Sequence, residues 1–274
     1  MKSVLITGAY GGMGKACASL LAKKGFKVFA LDIKTEQTSE NIIPIEADIT
    51  NSKSIQNALE IVRAHTKELY AIIHFAGIYM LNSLVEMEES EFDKIYKINL
   101  KGAYLINKAF LPMLKKESRI IITTSELANL DPLPFTGIYA IMKGALDKYA
   151  YSLRMELQLL DIKVSVLRAG AVNTGMLGAS TTALDKFCDE TELYNCNAAR
   201  FKSIVEGVEA RHIKPEKLAQ KILKILTKRN PAFAYSINRN PLLCLLNILP
   251  KRLQFFAIKQ VLKAPKQSTP TERE

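Results

Sequence analysis

The chain has 274 residues, 48% of them hydrophobic, and 38 Lys and Arg against 27 Asp and Glu give a formal charge of +11. That size and apolar content suit one sizeable core and exclude a disordered or fibrous chain. No run reaches the roughly 20 apolar residues of a membrane span. The cysteines (Cys17, Cys188, Cys196, Cys244) and histidines (His65, His74, His212) form neither a C-x-x-C pair nor a ligand cluster, which argues against a metal site and fits a reduced, cytosolic compartment.

In chain order, Lys2 leads into Val4-Leu5-Ile6, too short for a signal-peptide core, which reads as a buried strand over residues 3–7. A helix over 13–24 is closed by Gly25, and strands over 27–31 and 43–47 follow. Ile55, Leu59 and Val62 mark a helix over 52–64. A strand over 71–75, a long helix over 90–114, a strand over 119–124, a helix over 137–160 and a strand over 163–167 complete the alternation. Strands separated by helices predict a Rossmann-type, doubly wound α/β domain: one parallel β-sheet with helices on both faces.

After Gly170 the pattern loosens. Residues 174–211 are polar with weak periodicity, 215–228 is helical, and 232–236 is a last strand. An apolar stretch from Pro241 to Pro250 and a second from Lys251 to Lys263 read as two short helices separated by Pro250. The predicted organisation is one dinucleotide-binding domain over 1–264, with an amphipathic segment at 240–263 and a frayed, polar tail at 265–274.

The charge is uneven. Residues 1–197 carry 22 basic and 22 acidic residues, so the whole excess lies in residues 198–274, with 16 basic and 5 acidic. A solvated lysine-rich surface or attraction to membrane headgroups accounts for this. No nucleic-acid motif accompanies it, so no nucleic-acid partner is expected.

The first strand runs into Thr7-Gly8-Ala9-Tyr10-Gly11-Gly12-Met13-Gly14 and then a helix. Glycines there allow a tight turn and close approach of backbone to a pyrophosphate, and the helix start offers free N–H groups. The second strand ends in Leu31-Asp32, with Asp32 18 residues after Gly14. An acid at that point accepts hydrogen bonds from ribose hydroxyls and repels a 2′-phosphate, which argues for NAD over NADP. Tyr139 and Lys143, four apart at the start of a helix, share one face, and an ammonium beside a phenol favours the phenolate.

With these motifs in this order, the sequence resembles the short-chain dehydrogenase/reductase family over nearly its whole length, and within it the hydroxysteroid- and retinol-type members. The resemblance implies that Gly8, Gly12, Met13 and Gly14 form the cofactor turn, with Asp32, Ile33, Asp48 and Ile49 around the adenosine half. It implies that Ala76 and Gly77 admit the adenine ring, and that Val172 and Thr174 meet the nicotinamide carboxamide. Asn99 matches the family's structural and proton-relay asparagine, Ser125 its carbonyl-polarising serine, and Tyr139 and Lys143 its catalytic pair.

Three departures stand out. His74-Phe75-Ala76-Gly77 replaces the family's Asn-Asn-Ala-Gly, and His74 reads as structural. Ala169-Gly170 replaces Pro-Gly. The step from Ser125 to Tyr139 is 14 residues, slightly long for the family: counting back reaches Glu126, counting from the strand reaches Ser125, and Thr124 stays an alternative.

The implied activity is NAD-dependent interconversion of a secondary alcohol and a ketone. The loop over 176–211, carrying Leu177, Leu184, Phe187, Leu193, Tyr194 and Phe201, suits a lid over an apolar, hydroxysteroid-like substrate. The alternatives are a carbonyl or 3-ketoacyl-type reductase and an idle NAD-binding sensor. By resemblance a homo-oligomer, dimer or tetramer, is expected through the helices at 90–114 and 137–160. The segment at 240–263 packs on the body or a partner subunit, or lies on a membrane as a basic amphipathic device.

Overall fold

Apolar runs buried on both faces favour a parallel sheet covered by helices, and the chain builds one. The computed structural model describes residues 1–36, 39–209 and 211–263, without the side chains of 177, 208 and 209. The described strands are β1 (Ser3–Thr7), β2 (Lys27–Asp32), β3 (Ile42–Glu46), β4 (Leu69–His74), β5 (Leu114–Ser125), β6 (Lys163–Ala169) and β7 (Ala234–Ile237). They form a 7-stranded sheet in the order β3-β2-β1-β4-β5-β6-β7, every pair parallel. The order reverses between β1 and β4, which opens a crevice beyond the carboxyl ends of the strands.

Two cores sandwich the sheet. On one face α2 (Ser52–His65), α4 (Gly102–Phe110) and α5 (Gly137–Leu157) pack Ile55, Ile106, Phe110 and Leu146 against Leu5, Phe29 and Ile72. On the other, α1 (Gly12–Lys23) and α8 (Pro215–Thr227) pack Cys17, Leu21, Leu218 and Ile222 against Val4, Ile6 and Ile73. The alternating side chains of one strand therefore feed both cores.

The structure departs from the sequence expectation in four places. The helix expected over 90–114 is α3 (Glu89–Tyr96), a π turn (Lys97–Lys101) and α4, then a 3-10 turn (Leu111–Met113). β5 starts earlier than expected, at Leu114, with a register shift in its pairing with β4. There Ser118 Oγ donates to the Leu69 carbonyl (2.8 Å) and accepts from the Lys115 N–H (2.9 Å), in place of a regular ladder. The loosely patterned segment after β6 is helical: α6 (Gly175–Glu190) and α7 (Asn195–Glu209). The last strand is shifted toward Ile237. Beyond it lie α9 (Pro241–Ile248) and α10 (Lys251–Leu262), on either side of Leu249 and Pro250. The tail expected to fray, 265–274, lies outside the described residues.

α6 and α7 close on each other through a cluster of their own, Leu184, Phe187, Ala198 and Phe201 with Leu81. Phe135, from the loop between β5 and α5, inserts into it against Phe187, Tyr194 and Phe201, with ring centroids 4.5, 5.0 and 5.2 Å away. The side chain of Leu177, expected to line the lid, is not among those described.

Candidate active site

The turn from β1 to α1 is built around two close approaches. Gly8 has φ of 65°, and a Cβ on it would stand 2.5 Å from the Ala76 nitrogen. A Cβ on Gly14 would stand 2.0 Å from the Gly8 carbonyl oxygen. The turn, the start of α1 and the β4 end thus lock together. No side chain caps the start of α1 and no acid lies in its first turn, so its N–H groups are free to meet an anion. Thr174 packs on Gly12 and accepts from the Met176 N–H (3.3 Å), starting α6.

Asp32, closing β2, holds this turn too. Its Oδ2 accepts from the Tyr10 N–H (2.9 Å) and its Oδ1 from the Ile33 N–H (2.8 Å). Asp48 Oδ1 accepts from the N–H and hydroxyl of Thr50 (2.8 and 2.7 Å). Ile49 packs under Gly102 at the start of α4. Gly8, Gly12, Met13, Gly14, Asp32, Ile33, Asp48, Ile49, Ala76, Gly77 and Thr174 all border one groove of ≈ 850 Å³. A dinucleotide fits this donor set: a glycine turn held tight by its own close contacts, an uncapped helix start and an acid at the far strand end. Val172, by contrast, is buried and borders a second cavity.

That cavity, of ≈ 190 Å³, meets the groove at Met13, Tyr79, Thr174 and Met176. Ser125 and Tyr139 open into it. Ser125 ends β5, and its hydroxyl lies on the same side of the cavity as Tyr139, whose pKa it lowers. The Thr124 hydroxyl instead donates to Asp147 (3.2 Å), which also pairs with Arg168 (2.7 Å). Thr124 is thereby committed to fixing α5 on β6, and Ser125 is the hydroxyl beside the tyrosine.

Burial raises the Tyr139 pKa, with the Tyr79 ring adding to the rise and the Ser125 hydroxyl opposing it. Burial also lowers Lys143, to about 8. The sequence reading expected the Lys143 ammonium to lower the phenol's pKa. In the structure burial sets the direction, and the Lys143 Nζ lies 5.7 Å from the Tyr139 ring centroid and approaches the Thr123 carbonyl at 3.5 Å. Asn99, in the π turn, clasps the β4–α3 loop: its Oδ1 accepts from the Ile78 N–H and its Nδ2 donates to the Ile78 carbonyl, both at 2.8 Å. A Cβ on Gly77 would stand 3.3 Å from both Asn99 Oδ1 and Lys143 Nζ, so this loop links the groove to Lys143.

His74 is part of the frame. Its Nε2–H donates to Asn107 Oδ1 (2.9 Å) and Thr7 Oγ1 faces Nδ1 (3.4 Å). Burial depresses its pKa to about 4. The unfolded chain takes up a proton near pH 6.5 that the folded chain refuses until about pH 4. His74 therefore contributes stability that is complete above pH 6.5 and is lost as pH falls through that window, about 3 kcal/mol in all. His74→Asn should flatten this acid slope in pH-dependent urea unfolding, and an unchanged slope would refute the assignment.

Two residues of the site were missed in the sequence. Tyr79 stacks on Tyr139 at a centroid distance of 4.9 Å; its place just beyond Ala76-Gly77 was the available signal. Glu126 borders the cavity, its pKa raised by burial, and its Oε2 accepts from the Asn240 N–H (2.6 Å).

Comparison with known proteins fits this geometry. The family model described as short chain dehydrogenase matches residues 2–185. 3-Ketodihydrosphingosine reductase of Bacteroides thetaiotaomicron is 29% identical over 84% of this chain and 85% of its own. Estradiol 17-beta-dehydrogenase 2 of Mus musculus is 28% identical over 94% and 74%. A short-chain dehydrogenase from Streptomyces avermitilis superposes with a TM-score of 0.76 at 19% identity, covering 94% of each chain. The chain belongs to the short-chain dehydrogenase/reductase family of oxidoreductases, which act on CH–OH or carbonyl groups with a nicotinamide cofactor.

Proposed function

We propose that the protein is an NAD-dependent oxidoreductase that interconverts a secondary alcohol and a ketone on a lipophilic, hydroxysteroid-like substrate. The observation that carries this reading is the meeting of the glycine-cradled groove with an apolar cavity at Ser125 and Tyr139. Leu127, Leu133, Phe201, Ile204 and Leu243 line that cavity, and Glu126 is the only charged side chain in its described lining. The names of the two curated relatives, one for a keto-sphingoid base and one for a steroid alcohol, point the same way.

In this reading the cofactor supplies or accepts the hydride. Ser125 donates a hydrogen bond to the substrate oxygen, and Tyr139 gives or takes its proton. Lys143 holds the nicotinamide ribose hydroxyls, and its ammonium steadies the phenolate when that forms. Asn99 positions the loop that packs on Lys143. Ketone reduction is the second reading, favoured by the burial that keeps the proton on Tyr139 at rest. The exposed Tyr104, Ile141, Tyr151 and Met155 of α4 and α5 suit pairing into a homo-oligomer.

The test is turnover of steroid, retinoid, acyl and polyol alcohols with NAD and with NADP, followed by reduced-nicotinamide absorbance. Activity confined to small polar polyols would refute the lipophilic substrate. The cofactor preference rests on Asp32, whose carboxylate repels a 2′-phosphate. Asp32→Ser should raise the NADP-to-NAD ratio of kcat/KM by about tenfold or more. A wild-type preference for NADP would overturn the NAD assignment.

A further inference from the structure

α9 and α10 are packed with their apolar side outward. No residue of α9 is buried, and the single buried residue of α10 is Gln254. Leu242, Leu245, Ile248, Leu253, Phe255 and Phe256 are each more than half exposed, Ile248 at 78% and Phe255 at 67%. An apolar patch of this extent marks a surface that meets something other than water.

Polar groups do most of the fastening of the pair to the body, with Leu262 packed on the α6–α7 cluster. Beside the Glu126–Asn240 bond, Asn247 Oδ1 accepts from the Asp131 N–H (2.6 Å). Gln254 Nε2 donates to Asp131 Oδ2 and to the Leu246 carbonyl, both at 2.9 Å. Lys251 pairs with Asp131. At the far end, Asn197 and Arg200 of α7 donate to the carbonyls of Leu262 and Lys263. The helices are thus held in place with most of their apolar side chains facing outward.

Charge selects the occupant. Residues 240–263 contain Lys251, Arg252, Lys259 and Lys263 and no Asp or Glu. A second copy meeting this face through a two-fold axis would bring the same cations against them. An anionic lipid surface satisfies both features, with apolar side chains at the acyl boundary and cations among the headgroups. We propose that α9 and α10 dock the protein on an anionic lipid surface. Among the described residues no helix is long and apolar enough to cross a membrane, so the protein would lie on the bilayer. Leu243 of α9 borders the cavity that holds Ser125 and Tyr139, so one helix separates the docking face from that cavity.

The test is co-sedimentation of the full chain with vesicles of phosphatidylcholine alone or mixed with phosphatidylglycerol, at low and high salt. The anionic vesicles should bind about tenfold or more tightly, and salt should weaken that binding. Phe255→Ser with Phe256→Ser should reduce binding by about tenfold or more. Arg252→Glu with Lys259→Glu should abolish the preference for phosphatidylglycerol. All four side chains are exposed, so melting temperature and NAD binding should be unchanged. Failure to bind vesicles, or equal binding to both kinds, would overturn the proposal. So would light scattering in which the phenylalanine pair dissolves a dimer while vesicle binding persists, because the face would then belong to a subunit interface.

Discussion

Tyr139→Phe is expected to cut kcat by about 10³-fold while leaving cofactor affinity within about twofold, the span expected for loss of a positioned acid/base. The ring itself should stay in place, since it is buried and stacked on Tyr79, and only the hydroxyl beside Ser125 is lost. Stopped-flow turnover combined with fluorescence titration of NAD separates the two effects. A variant retaining a tenth or more of wild-type kcat would remove Tyr139 from the chemistry, whereas NAD binding with no turnover by either form would favour the idle-sensor reading. Weakened NAD binding alone would instead make the tyrosine a packing element of the groove.

The second large effect falls on the backbone. Gly14→Ala would drive a methyl to 2.0 Å from the Gly8 carbonyl oxygen and 2.8 Å from the Ala9 Cα, atoms that cannot swing aside as a side-chain tip can. The turn must open, at a cost of about 3 kcal/mol or more, which corresponds to roughly 10 °C in Tm for a chain of this size. NAD affinity should fall by about two orders of magnitude, because the displaced turn no longer presents the α1 amides. Gly11→Ala is the control. A Cβ there meets only the Gly8 oxygen, at an ordinary 3.4 Å, and φ is −67°, so Tm should move by no more than about 2 °C. Equal losses in the two variants, read by thermal melts and NAD titration, would show that general loop disturbance is responsible.

The sheet was legible in the sequence because its strands are apolar runs bounded by helices with ordinary periodicity. Ser3–Thr7 is buried throughout and could hardly be read otherwise. The π turn at Lys97–Lys101 was not legible, since Ile95, Asn99, Ala103, Ile106 and Phe110 keep a spacing that a regular helix also satisfies. α6 and α7 were obscured for another reason: they bury a narrow stripe against each other and Phe135 instead of a broad face against the sheet. In the candidate site, the glycine turn, Asp32 and the Tyr139–Lys143 pair were found as local patterns. The choice between Thr124 and Ser125 depended on Asp147, distant in sequence, which draws the threonine hydroxyl away.

The cluster of Leu184, Phe187, Ala198 and Phe201 around Phe135 has no buried member in common with the cores on either side of the sheet. The roof over the cavity therefore packs on itself and not on the sheet, so its far side can loosen without opening either core beneath it.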